Sequence, residues 1–453
     1  MHHAKTFKKK TGLFFIILWP ILVTQMGLYA MNLFDTMMSG RAGTDDLAGV
    51  AIGSSLWFPV FTGINGILLA VTPIVAQYIG EGQRDKISQT VTQGLYLSVL
   101  IACLVIGIGA ISLEPILTFM ELEPAVHHIA KHYLIGLSFG IIPLFAANVL
   151  RYFFDAQGKT RITMVITIVA VPINIVLNYG LIFGKFGLPE LGGIGAGYAT
   201  AITYWLLLLI SIWMTFNIKG VQSYKLFVHW CKPSMQAWKE QLAIGVPMGL
   251  SIFFEASIFS AVTLLIGSMF DTVTVAAHQA ALNFTSLIFM VPLSISMALT
   301  ILVGYEVGAK NYEDAKQYSL LGVSSAILVL AISSVFLYFY REHIAYLYTD
   351  NHEVVEMTMK FIIFAIIYQL SDATQASLQG VLRGYKDVTI PFITALVSYW
   401  GIGLPVGYML STYTELGAFG YWVGITIGLT SAAIGFVVRL SFIQRRHIKV
   451  IIA

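Results

Sequence analysis

Charge is scarce in this chain and cysteine nearly absent. Only 11% of its 453 residues are charged and 57% are hydrophobic, whereas a soluble domain carries about 25% charged residues. A water-facing globule of this size is therefore excluded. Cys103 lies inside an apolar segment and Cys231 in a basic connection, and neither placement suits a structural disulfide. No polar stretch is long enough to fold as a separate soluble domain. Nucleotide chemistry is missing as well. AQGKT (156–160) ends like a phosphate-binding loop, but Phe153 stands where that pattern needs Gly, which argues against ATP as an energy source. GIGAG (193–197) is too short a glycine cluster for a dinucleotide site. His127, His128 and His132 have no Cys or acid at ligand spacing, so they do not read as a metal centre.

What the chain has in abundance is long apolar runs. Each is long enough to cross a hydrocarbon layer about 30 Å thick as a helix. The expected spans are 12–34, 48–79, 91–113, 126–154, 161–184, 193–217, 241–269, 274–306, 317–340, 354–382, 388–411 and 418–443. The basic leader MHHAKTFKKKTG runs into an apolar segment too long for a signal peptide and without a cleavage site, so the first span is expected to be retained. Twelve spans place 21 of the 26 Lys and Arg residues on one side of the membrane, leaving Arg41, Lys131, Lys185, Arg341 and Lys360 elsewhere. Positive residues stay inside, so both termini are expected in the cytoplasm.

The chain also repeats itself. IVAQYIGEGQRDKISQ (74–89) pairs with LVGYEVGAKNYEDAKQ (302–317), and PELGGIG (189–195) with TELGAFG (414–420). Nearly the same offset relates both pairs, the mark of a duplicated six-span unit. Six is even, so the halves enter the membrane from the same side, as parallel repeats whose substrate site lies between two lobes near mid-depth. The expected organisation is an N-terminal lobe over 1–217, a basic connection over 218–240 and a C-terminal lobe over 241–453.

Within the spans, charge stands out. A charge at the bilayer centre costs roughly 2.5–3.5 kcal/mol, so it usually lines an interior cavity. Glu255, in SIFFEASIFS, and Asp372, in YQLSDATQAS, reach similar depth from opposite faces, and no basic residue on their spans lies at that depth. Two such acids would hold protons, metal cations or a cationic substrate, or serve as structural polar residues bonded to neighbouring helices. Oxygen ligands suit hard cations, and Tyr368, Gln369 and Ser371 are near Asp372 in sequence. Asn174 and Asn178 share one face of the fifth span, either in a polar interior or as helix-helix glue. Asp35, near the external end of the first span, reads either as a loop acid or as a cavity acid. His278 is an intramembrane histidine for which a hydrogen-bonded structural role outweighs a proton relay. Pro20, Pro59, Pro172, Pro247, Pro292 and Pro405 fall within spans and permit kinks. Gly420, Gly424 and Gly428 form a packing stripe.

WPILVTQ, FDTMMSG, PIVAQYIGEG, PELGGIGAGYATAITYW, AAHQAALNF, LYTDN, YQLSDATQASLQGVLRGYKD and SYWGIGLPVGYML together resemble the multidrug and toxic compound extrusion family, and within it the NorM branch, over essentially the whole chain. The resemblance implies an all-α membrane protein of twelve helices in a V-shaped pair of six-helix lobes related by pseudo-two-fold symmetry. It implies export of cationic or amphipathic drugs and dyes in exchange for Na⁺ or H⁺, in a bacterial plasma membrane. No enzyme activity, cofactor or nucleic-acid partner is implied, and a monomer is expected to suffice. It also implies that Glu255, Asp372 and Tyr368 form a cation site, with Na⁺ on the two acids, and that Asp35 is the acid of the N-terminal lobe. A related branch carries a second aspartate on span 5, where YGLIFG (179–184) has none. Alternatives are a lipid-linked precursor flippase, which would need several basic cavity residues, and a membrane-embedded transferase, which would need a metal-binding cluster at a membrane face.

Overall fold

Residues 4–452 are described in a computed structural model. Among them, fifteen α-helices follow one another: α1 Phe7–Ala42, α2 Thr44–Leu68, α3 Val71–Glu81, α4 Arg84–Phe119, α5 Pro124–Ser138, α6 Ile141–Ala156, α7 Thr160–Phe183, α8 Gly193–Asn217, α9 Met235–Met269, α10 Thr272–Gly308, α11 Tyr312–Tyr346, α12 His352–Gly384, α13 Thr389–Leu396, α14 Leu404–Tyr413 and α15 Phe419–Ile452. Helix is what lipid demands, because every backbone N–H and C=O must find its partner within the segment. Large apolar side chains point outward, such as Ile111 at 80% and Phe119 at 88% exposure, a surface that suits hydrocarbon rather than water.

Eleven helical segments among the described residues are long and apolar enough to span, and α5 with α6 makes a twelfth if that pair, bent by 50°, counts as one span. The twelfth, expected as a continuous helix over 126–154, is thus broken at Phe139 and Gly140. A Cβ at Gly140 would lie 2.6 Å from Ala201 Cα, so α8 packs closely against the break. Between α13 and α14 the helix widens into a π turn, Val397–Gly403, just before Pro405, which has no N–H to continue an α-helical ladder.

The duplication is written in the backbone. Gly82 (φ 74°) and Lys310 (φ 60°) close α3 and α10 in the left-handed region, and Gly158 (φ 74°) and Lys386 (φ 57°) do so after α6 and α12. Both pairs stand at the offset that relates 74–89 to 302–317 in the sequence. Their hydrogen bonds match too: Gly82 N to Ile79 O and Gln83 N to Tyr78 O are repeated as Lys310 N to Val307 O and Asn311 N to Glu306 O. Likewise Gly158 N to Asp155 O and Lys159 N to Phe154 O reappear as Lys386 N to Arg383 O and Asp387 N to Leu382 O. These are paired helix-ending turns of the Schellman type. Gly192 (φ 61°) and Gly417 (φ 58°) form a third pair, at the offset of PELGGIG and TELGAFG, in which both lie.

The chain divides into two compact units. One is Trp19–Gly249; the other runs from Leu250 onward and takes in the N-terminal segment ending at Leu18. The division falls inside α1 and α9. In the first unit the connection over 218–240 is bound to α4: Gln93 Nε2 donates to Lys232 O (2.7 Å), Tyr96 to Cys231 O (2.8 Å) and Ser88 to Tyr224 O (2.7 Å). In the second unit, Lys10 at the start of α1 is buried and donates to Asp314 and Gln317 on α11. The glycine stripe packs as expected. A Cβ on Gly424 would lie 2.3 Å from Gly407 Cα and 2.6 Å from Gly403 O, and one on Gly420 2.6 Å from Ser411 N, so α14 and α15 touch backbone to backbone.

Candidate functional site

In the second unit one amide gathers the two intramembrane acids. Gln375 Nε2 donates to Glu255 Oε1 at 2.8 Å and to Asp372 Oδ1 at 2.9 Å. Asp372 and Gln375 are three residues apart on α12, hence on one face, and α9 brings Glu255 to the same group. Tyr368 donates to Asp372 Oδ2 at 3.2 Å, and Tyr399 donates to Gln375 Oε1 at 2.8 Å. Tyr399 sits in the π turn, which shifts the register of side chains about the helix axis. Its neighbour Trp400 donates to Phe254 O at 3.1 Å, tying that turn to α9 beside Glu255. Tyr368, Asp372, Gln375 and Tyr399 are buried, while Glu255 keeps partial exposure.

The expected trio of Glu255, Asp372 and Tyr368 is thus brought together, and sequence reasoning missed the two residues that join it, Gln375 and Tyr399. Gln375 lies within the quoted YQLSDATQAS, and its spacing from Asp372 was the available signal. Ser371 turns away to Thr430 Oγ1, 2.9 Å off. Gln369 is 3% exposed with neither amide atom hydrogen-bonded.

One basic residue, nearer the end of α12, belongs to the same buried stripe. Arg383 is not a loop charge: it is only 6% exposed near the end of α12. Its Nη2 donates to Gln379 Oε1 at 2.9 Å, and Gln379 Nε2 donates to Ser251 Oγ at 3.0 Å, one helical turn before Glu255. Arg383 is within electrostatic reach of both Glu255 and Tyr399. Tyr368, Gln369, Asp372, Gln375, Gln379 and Arg383 fall within an arc of about 120° on α12, a polar stripe along a buried helix.

The first unit holds its own acid. Asp35, buried on α1, accepts from Asn178 Nδ2 through Oδ1 and from Thr200 Oγ1 through Oδ2 at 2.9 Å. Asn178 also donates to Asn174 Oδ1, and Asn174 to Thr203 Oγ1, each at 3.2 Å. The loop reading of Asp35 is thereby set aside. Asp35, Asn174 and Asn178 belong to one network, which Thr200 and Thr203 on α8 complete.

His278 receives Trp422 Nε1 on its Nδ1 at 3.0 Å. The proton of the neutral ring therefore sits on Nε2, facing Thr263 Oγ1 at 2.9 Å, and both nitrogens are used structurally. His127 has a partner that spacing did not reveal: Glu114 on α4 meets His127 and Lys131, both at 3.1 Å. Among the described residues no group of three or more His, Cys, Asp or Glu could hold a metal.

The model of the MatE family matches twice, over residues 20–180 and 247–409. The two matches begin on Pro20 in α1 and Pro247 in α9, so they retrace the duplication. A protein of Halalkalibacterium halodurans named "Probable multidrug resistance protein NorM" is 54% identical over 446 residues, covering 98% of this chain and 97% of that one. The like-named protein of Oceanobacillus iheyensis is 54% identical over 448 residues, covering 99% and 100%. That of Bacillus subtilis is 51% identical over 447 residues, covering 99% of each. The crystal structure of a eukaryotic MATE transporter, AtDTX14, superposes with a TM-score of 0.87 at 22% identity, over 97% of this chain and 98% of that one. An outward-facing multidrug resistance MATE family transporter of the MOP superfamily gives 0.87 at 19% identity, over 97% and 96%. At those identities the structural likeness speaks for the fold.

Proposed function

Because the chain belongs to the MatE family, we propose that it exports cationic or amphipathic drugs in exchange for Na⁺ or H⁺, with Glu255 and Asp372 as the cation site. The activity is transport, not catalysis. The observation that carries the site is the single amide of Gln375 held between two carboxylates in an apolar helix bundle. An amide is neutral, so it orients the acids without cancelling their charge. Desolvated carboxylates are costly unless compensated, and a proton, an ion or a cationic drug supplies the compensation. Occupants that compete for one cluster exchange in alternation, which is what obligatory antiport requires.

As acceptors the site offers oxygens: two carboxylates and the Tyr368 hydroxyl. Such donors fit a hard monovalent cation. Each net charge carried inward releases about 2.3 kcal/mol per 100 mV, worth about 40-fold in drug gradient. One-for-one exchange of Na⁺ for a monovalent drug moves no net charge, so that case runs on the ion gradient alone. Apolar and aromatic side chains with 16 methionines supply an adaptable surface for varied substrates. The bacterial plasma membrane, with both termini cytoplasmic, and action as a single chain complete this reading.

Everted vesicles bearing Glu255→Gln or Asp372→Asn should insert normally but lose cation-coupled dye efflux. Unchanged coupling in both variants would sink the proposal. Binding of ²²Na⁺ to the purified protein, with drug competition, separates Na⁺ from H⁺ coupling.

A further inference from the structure

We propose that Arg383 is a tethered positive charge that sets how tightly the Glu255–Asp372 pair holds cations, an affinity-determining residue that touches neither ion nor drug. The inference rests on the carboxylate site proposed above.

Arg383 lies on the polar stripe of α12, eleven residues and about three turns from Asp372. Its guanidinium is anchored to Gln379, and Gln379 to Ser251 on α9, so it is fixed toward the helix that bears Glu255. An arginine cannot be discharged in a protein. Its field at Glu255 is permanent and favours the carboxylate over an occupant cation.

The duplication shows that this charge is not needed to end the helix. An arginine in the last turn could serve only to complement the helix dipole. Yet position 155 of the first unit, its counterpart in the repeat and in the same hydrogen-bonded turn, carries an aspartate. There Asp155 accepts from Thr163 at 2.8 Å, and Arg151 Nε lies 3.6 Å from Asp155 Oδ2. The turn thus tolerates either sign of charge. In the first unit the position pairs with an arginine one turn away; in the second, Gln379 stands where that arginine would be. That glutamine accepts from Arg383 and donates to Ser251, one helical turn before Glu255 on α9, and Arg383 is within electrostatic reach of Glu255.

Without this charge the carboxylate pair would bind cations more tightly and release them more slowly. An antiporter must let go of its ion on one side to take up its drug, so a built-in counter-charge keeps the affinity low enough for turnover.

The test is equilibrium binding to the purified full chain with two probes, ²²Na⁺ and tetraphenylphosphonium. Arg383→Gln should lower the Kd of at least one probe on the order of tenfold and slow dye efflux at saturating cation. Arg383→Lys should stay within about twofold of the parent, as should Arg151→Gln in the other unit. Arg383→Met provides a second neutral variant should Gln fail to fold. Tighter binding is a gain that a misfolded protein cannot produce. Unchanged or weaker binding in the folded neutral variants overturns the inference. Glu255→Gln, measured beside them, should weaken binding of both probes; if it affects neither, the carboxylate reading itself fails.

Discussion

The hydroxyl of Tyr399 donates to Oε1 of Gln375 at 2.8 Å, and that contact decides which end of the amide faces the acids. With Oε1 engaged, Nε2 is left for Glu255 and Asp372. Tyr399→Phe should leave a buried amide oxygen unpaired, at a cost of about 1–3 kcal/mol. A lower Tm in detergent, with dye efflux reduced but not abolished, is the expected outcome.

Removing the amide goes further. Gln375→Ala deletes the donor common to both carboxylates. Loss of the groups that orient ion ligands typically costs about 10–100-fold in affinity, and a fall of that size is expected in the cation concentration dependence of efflux from everted vesicles. Cation dependence equal to that of the parent would show that the bridge is incidental.

His278 separates a structural histidine from a proton relay. His278→Leu strands the Trp422 N–H, so stability should drop by about 2 kcal/mol. Cation-coupled efflux per folded molecule should persist, whereas a relay would lose it.

Helix contact is tested at two glycines. Gly424→Ala puts a methyl against the Gly407 backbone, which neither helix can yield cheaply, and should destabilise by at least about 1–3 kcal/mol. Gly107→Ala, within α4 and with nothing within 4 Å of the added carbon, should be neutral or slightly stabilising through helix propensity. Thermal unfolding of both variants in the same detergent gives the comparison.

The repeated turns make a reciprocal prediction. Lys310 occupies a left-handed position where its counterpart is Gly82. Lys310→Gly relieves that strain and should stabilise by up to about 1 kcal/mol, and Gly82→Lys should destabilise by a similar amount. Chemical denaturation of the two variants beside the parent checks both signs.

The spans and the duplication could be read in the sequence because hydrocarbon thickness fixes segment length and because repeated turns keep their Gly and polar residues. Glu255 and Asp372 stood out because charge is costly where they lie. Gln375, Tyr399 and Thr200 did not, since neutral polar residues are common in spans and only the packing of α9 on α12, or of α8 on α1, gives them partners. The aim of Tyr399 depends on a π turn that no helical periodicity foretells, although Pro405 marks the place. Arg383 reads as a loop charge for a related reason. It sits beside the polar turn Gly384–Asp387, and hydropathy cannot tell a buried last turn from the loop after it.

The boundary between the two units passes between Leu18 and Trp19 and again between Gly249 and Leu250, each within three residues of one of the duplicated prolines, Pro20 and Pro247. In each half of the duplicated sequence the start of the first span is therefore grouped with the other unit. The connection over 218–240 lies wholly within the first unit, bound to α4. Two half-chains made separately and cut within it would each carry a helix segment that belongs to the unit formed mostly by the other.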